Sequence, residues 1–142
     1  MNSPLSLLVN NVFNTIVSKD IEKTMVFFHK DAEFIDPHYP VVTKQGAKQI
    51  REGFLWGFGG VKSFQFEQLN YFENKTATSA SIEFATTLVL NNGKQLNYRQ
   101  VFIIETHDNK ISRCQAYETY GPHGMLKFIL IMTRLMNKIR RV

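Results

Sequence analysis

Leu5, Leu8, Val9, Val12, Phe13, Ile16 and Val17 recur at helical spacing opposite Asn10, Asn11 and Asn14, which predicts a helix with a wide apolar stripe turned toward a core. Ser3-Pro4 supplies a cap and a proline suited to the first turn. Ser18-Lys19-Asp20 breaks the stripe, and Asp20 is placed to cap a second helix carrying Ile21, Met25 and Phe28 before His29-Lys30-Asp31 ends it. The period then falls to two. Ala32, Phe34 and Asp36 alternate with Glu33 and Ile35, the pattern of a short strand that stops at Pro37. A loop from Pro37 to Thr43 follows. From Lys44 onward, Ala47, Ile50, Phe54, Leu55 and Phe58 predict a third helix. Gly46 and Gly53 weaken it by about 1 kcal/mol each relative to alanine, and Gly57, Gly59 and Gly60 stop it.

Four segments rich in Phe, Tyr, Ile, Val and Thr come next: Val61 to Phe72, Thr76 to Leu90, Gln95 to Thr106 and Ile111 to Tyr120. Asn74-Lys75, Asn91-Asn92-Gly93 and His107-Asp108-Asn109-Lys110 separate them, and turns this short require antiparallel neighbours. The segments run from ten to fifteen residues, longer than ordinary strands, so the sheet should curve strongly and contain bulges. Phe64 and Phe66 share one parity while Leu69 and Tyr71 share the other, which places a bulge between the two pairs. A curved sheet behind three helices is an α+β half-barrel with room for an apolar pocket at one end. Gly121-Pro122 to Val142 returns to helical spacing, with Met125, Phe128, Ile129, Met132, Leu135, Met136 and Ile139 along one side.

The 142 residues, 44% hydrophobic and 13% aromatic, fit one domain with a substantial core, residues 1–122, and a basic helical tail, 123–142. The tail holds five of the seventeen basic residues and no acid, so the net charge of +5 belongs to it and the remaining chain is balanced. That distribution speaks against nucleic-acid binding and leaves a membrane surface, a protein partner, the chain's own domain or a second copy as what the tail covers. A single cysteine, Cys114, excludes an internal disulfide framework, and the broken apolar pattern of the first residues is unlike a secretory signal; a cytoplasmic location is expected. His29, His38, His107 and His123 lack ligand spacing and no phosphate loop is present, so neither metal nor cofactor is expected. Cys114 reads as inert packing rather than as a nucleophile.

Asp36 carries the sharpest chemistry. Its parity puts it on the side of Phe34 and Ala32, where an apolar setting raises a carboxyl's proton affinity and makes it a useful base near neutral pH. The plainer alternative is that Asp36 closes a turn with its side chain.

The order of elements, together with Asp20-Ile21-Glu22, Asp31-Ala32, Asp36-Pro37, Gly46 with Ile50 and Phe54, Gly59-Gly60 and Gln115-Ala116-Tyr117, resembles the nuclear-transport-factor-two-like superfamily, and within it the ketosteroid-isomerase-like and SnoaL-like branch. The resemblance implies a cone-shaped fold, often a homodimer through the outer face of the sheet, with a deep pocket for a small apolar ligand. It makes Asp36 the general base. It also turns Arg99 and Glu118 into the pocket with Val101, Cys114 and Ala116, puts Phe28 and Phe54 on the helical wall, and adds His38, Tyr39 and Trp56 to the lining. Arg99 then either assists Asp36 electrophilically or is neutralised by Glu118 as a buried pair. Val12 and Val101 fall where the steroid isomerase has its oxyanion tyrosine and protonated acid, and Ala116 falls where the cyclases have an acid. Two functions are therefore carried forward: an enzyme of the isomerase, cyclase or hydrolase kind, and a non-catalytic ligand-binding or assembly module.

Overall fold

The computed structural model describes residues 3–118 and 124–140. Helix α1 (Pro4–Val17) is capped by Ser3, whose hydroxyl oxygen accepts from the Ser6 N–H at 3.0 Å. Asp20 caps α2 (Ile21–Met25) in the same way, accepting from Lys23 N–H at 3.0 Å. This second helix is shorter than its apolar spacing indicates. The Phe27 N–H closes back on Thr24 O, and Phe27 O then accepts from Ile111 N–H at 2.8 Å, so the sheet takes over the backbone and Phe28 opens strand β1 (Phe28–Ile35) instead of ending a helix. Strand β2 (Thr43–Gln45) was not evident in the sequence; it pairs antiparallel with β1 through Phe34–Lys44 and Ile35–Thr43. Helix α3 (Gly46–Gly60) runs through its glycines and stops only where Val61 becomes extended.

Strands β3 (Val61–Glu73), β4 (Ser79–Leu90), β5 (Gln95–His107) and β6 (Lys110–Glu118) form an antiparallel meander. Strand β1 joins it in parallel beside β6, giving the order β2-β1-β6-β5-β4-β3 in one curved, unclosed sheet. Pairing passes from Gln68–Phe84 to Asn70–Glu83, so Leu69 is the extra residue of a bulge. The bulge lets Phe64, Phe66, Leu69 and Tyr71 all stay on the half-buried side despite their change of parity. Asp108 and Asn109, both at positive φ (51° and 57°), make the two-residue turn between β5 and β6.

The concave face of the sheet receives α1 and α3. The Phe13 ring lies 5.0, 4.6 and 5.0 Å from those of Phe66, Phe84 and Phe102, which ties α1 to three strands at once. Helix α4 (Gly124–Arg140) follows the sheet, while Gly121, Pro122 and His123, and the expected continuation of the last strand to Tyr120, lie outside the described residues.

Within this apolar core lies a lysine. Lys44 of β2 is 1% exposed, and its Nζ donates to Val41 O at 2.8 Å and Val42 O at 3.3 Å. The ammonium also stands 4.6 Å from the centre of the Phe34 ring and 4.2 Å from that of Tyr39. Gly53 is where its stem passes α3: a Cβ there would come within 2.5 Å of Lys44 Cδ. Gly53 is therefore a gap in the helix wall that admits a side chain. Replacement by alanine gains about 1 kcal/mol of helix propensity but overpacks a buried stem, which costs about 1–3 kcal/mol. Gly53→Ala is expected to lower unfolding stability in urea, whereas Gly59→Ala, where a Cβ meets nothing within 4 Å, is expected to leave it unchanged or raise it by up to about 1 kcal/mol. Equal effects at the two positions would contradict this packing account.

Candidate active site

The cavity enclosed between the helices and the concave face has a volume of about 330 Å³ and walls made mainly of Phe, Leu, Ile and Val. Polar groups reach it from two directions. The segment after β1 contributes Asp36, His38 and Tyr39, and β5 contributes Tyr98 and Gln100.

Asp36 sits one residue beyond the Ile35–Gln115 pairing, on the buried side of β1 with Ala32 and Phe34. It fills both roles that the sequence leaves open. Its Oδ1 accepts from the His38 N–H at 2.9 Å, which makes the turn through Pro37, and the same carboxylate lines the cavity. The turn brings the His38 ring back, so that Nδ1 is 3.3 Å from Asp36 Oδ1 and also contacts Glu118 Oε1. Glu118 arrives from β6, opposite Gln100 in the register. Two carboxylates from different strands thus meet on one imidazole nitrogen, while the ring stacks on Tyr98 with centroids 5.7 Å apart. The Glu118 side chain is only 7% exposed. Burial first, and the neighbouring Asp36 charge second, push its carboxyl from 4.5 up to about 7.

Tyr39 is the polar group nearest the helical wall. Burial, then Asp36, Tyr98 and Cys114, hold its phenol well above its ordinary proton affinity, so it stays a hydrogen-bond donor. Gly57 makes its place, since a Cβ there would lie 2.9 Å from the Tyr39 hydroxyl. Burial pushes the Lys44 ammonium down to about 8 against the opposing pull of Asp36. Cys114 lines the cavity, but burial raises its thiol far above the range of a reactive thiolate.

Phe28, Phe54, His38, Tyr39, Trp56 and Cys114 all lie on the cavity wall. Arg99 and Val101 do not. On β5 the residues turned inward are Leu96, Tyr98, Gln100, Phe102 and Ile104, so Arg99 and Val101 share the outer face, where Arg99 is 66% exposed and 3.7 Å from Glu83. Asp36 and Glu118 converge; Arg99 is not with them, and neither the assisting arginine nor a buried Arg99–Glu118 pair is formed. Ala116 is buried in the core without reaching the cavity wall. Counting parity along β5 alone identifies Tyr98 and Gln100, because the even positions carry Leu, Tyr, Phe and Ile. Lys44 also leaves a trace in the sequence: Gly53 and Gly57 fall on the same stripe of α3 as Ile50, Phe54 and Phe58, where glycine makes room for something large.

Asp36, His38 and Glu118 offer three ligand atoms within 4.8 Å of one another and are the one group among the described residues with the donors to hold a metal ion. Both carboxylates, however, address the same nitrogen, an arrangement that one Nδ1–H on His38, donating to both oxygens, satisfies without an ion. The residues fit proton sharing better than coordination.

A curved sheet wrapped on helices, with an apolar cavity whose wall carries Asp36 and His38 and with Glu118 meeting the His38 ring from outside that wall, defines a pocket protein of the nuclear-transport-factor-two-like kind. Residues 9–114 match the model of the SnoaL-like domain, and the chain belongs to that family. No curated protein matches it by sequence. Among solved structures, a Δ5-3-ketosteroid isomerase from Mycobacterium sp. superposes with a TM-score of 0.73 at 17% identity, over 81% of this chain and 92% of that one. A candidate polyketide cyclase from Xanthomonas campestris pv. campestris gives 0.73 at 14% identity, over 91% and 96%. TerC, co-crystallised with polyporic acid, gives 0.71 at 17% identity, over 82% and 92%. At such identities the likeness is one of fold.

The raised Glu118 carboxyl sets a pH dependence. The folded chain keeps a proton that the unfolded chain has released once pH exceeds 4.5, so this group's contribution to stability is complete below 4.5 and is lost as pH rises through about 7. The loss amounts to at most about 3 kcal/mol. Glu118→Gln should remove it, making the variant gain on the wild type between pH 5 and pH 8 in urea unfolding; parallel curves would show that Glu118 titrates normally.

Proposed function

We propose that the chain is an enzyme that moves a proton next to a carbonyl group in a small, largely apolar substrate, with Asp36 as the base. The observation that carries this reading is the meeting of Asp36 and Glu118 on His38 at the wall of a cavity whose remaining surface is mostly hydrocarbon. Of two neighbouring carboxyls, one that burial raises toward neutral pH can hold a proton while the other is placed to accept one. Glu118 is the member that retains a proton near neutral pH, which gives Asp36 the role of acceptor.

In the proposed reaction Asp36 takes a proton from the carbon beside the carbonyl, and the C–H electron pair moves into an enolate. Tyr39, held as a phenol, donates a hydrogen bond to the enolate oxygen. The proton on Asp36 then returns to another carbon, giving an isomer, or the enolate carbon attacks a second carbonyl within the same molecule, whose C=O electron pair moves onto its oxygen, and that oxygen takes the proton from Asp36 as the ring closes. His38 and Glu118 steady the charge on Asp36 through the shared Nδ1. Tyr39 and Tyr98 supply donors from positions other than that of Val12, which contributes only hydrocarbon to the wall.

Trp56, the single tryptophan, lines the cavity mouth and reports binding by fluorescence. Cyclic enones and β-diketones incubated with the protein in D2O are expected to acquire deuterium beside the carbonyl. Asp36→Asn is expected to slow that exchange by about 10²–10⁴-fold while the Trp56-monitored affinity changes by less than about threefold. Binding without exchange in the wild type, unaltered by Asp36→Asn, would instead identify a non-catalytic ligand-binding module.

A further inference from the structure

Helix α4 exposes its apolar side. Phe128, Met132, Leu135 and Ile139 recur at i, i+4, i+7 and i+11, with Ile129 and Met136 beside them, and all six are between 42% and 72% exposed. The chain's own domain does not cover this stripe. Arg134 and Lys138 flank it on one side and Arg140 flanks it on the other. Thr133 and Asn137 occupy the far side together with the half-buried Leu130. No acid occurs from residue 119 to the last residue, so nothing in the segment neutralises these bases.

We propose that α4 is a docking helix for an anionic lipid surface, lying in the plane of the membrane with its apolar stripe among the acyl chains. Hydrocarbon in the centre and bases along both margins match an interface in which the stems of Lys and Arg run alongside apolar chains and their heads meet anionic headgroups. Charge complementarity selects this occupant over a second copy, because α4 against α4 brings two acid-free basic helices together. No described helix is long and apolar enough to cross a membrane, so α4 lies on the surface rather than through it. Five residues separate Glu118 from Gly124, which limits the start of α4 to within about 20 Å of Glu118. A surface-bound α4 therefore holds the cavity close to the lipid, the phase in which apolar ligands concentrate.

The test is co-sedimentation of the full-length protein with sonicated vesicles of phosphatidylcholine alone or with about a quarter phosphatidylglycerol. The wild type is expected to pellet with the anionic vesicles, at least about tenfold more tightly than with neutral ones, and to be released as salt is raised to about 0.5 M. Arg134→Glu with Lys138→Glu is expected to lower binding by at least about tenfold, and Leu135→Asp to abolish it. Both changes are on exposed positions, and an unchanged circular dichroism spectrum and Trp56 emission establish that the domain remains folded. Failure of the wild type to bind anionic vesicles would overturn the proposal, as would equal binding by the charge-reversed variant. A dimer in light scattering that Leu135→Asp dissociates, with no vesicle binding, would overturn it in favour of a second copy.

Discussion

A positive charge enclosed among aromatic rings sets the position of the polar groups that follow β1, Asp36, His38 and Tyr39. The Lys44 ammonium is withdrawn from water, so it must be satisfied locally, and the partners it finds are the carbonyls of Val41 and Val42 and the faces of Phe34 and Tyr39. Those contacts fold the stretch between β1 and β2 over its own second strand. Asp36 N–H donates to Val42 O at 3.0 Å, and Tyr39 N–H to Asp36 O at 3.2 Å, so the same fold places Asp36, His38 and Tyr39 in one turn. Gly53 and Gly57 complete the arrangement from α3 by omitting the two side chains that would collide with Lys44 and Tyr39. A buried charge gives weak net stabilisation once its desolvation is counted. Here its main consequence is geometric.

The sheet provides the second half of the site by register. Strand β1 joins β6 in parallel, which brings the end of β1 beside Ala116 and puts Asp36 within reach of the next inward residue of β6, Glu118. Gln100 faces Glu118 across the β5–β6 pair and donates to the Thr86 hydroxyl oxygen at 2.7 Å, a buried bond that fixes the inward parity of β5. A carboxylate at a strand end and a carboxylate near neutral proton affinity follow from strand pairing, and the turn through Pro37 sets the imidazole between them. The surrounding hydrocarbon keeps the dielectric low, and that raises the effect of each of these charges on a bound carbonyl compound.

The fold was legible in the residues because its signals are periodic. The stripe of α1, the four long strands and the Leu69 bulge are all visible as changes in spacing, and the short turns dictate the meander. Two features resisted. Phe28 continues the spacing of α2, and only the sheet hydrogen bond from Ile111 to Phe27 decides that it belongs to a strand. Strand β2 is three residues long, below the length at which alternation can be recognised. At the site, Asp36 was visible from the parity of its own strand. The family resemblance implies an inward Arg99, although the alternation of β5 turns it outward to Glu83. His38 and Glu118 could be named singly, but their convergence depends on the parallel β1–β6 pair, which joins residues some eighty positions apart.

The carboxyl group of Glu118 is held near neutral proton affinity by burial and by the neighbouring Asp36. Carbon-13 NMR of the Glu118 side-chain carboxyl, followed from pH 3 to pH 9 in the folded protein, tests this most directly. The account predicts a midpoint near 7 that moves down when Asp36 is replaced by asparagine. A midpoint at the ordinary value of 4.5, unmoved by that replacement, would contradict it.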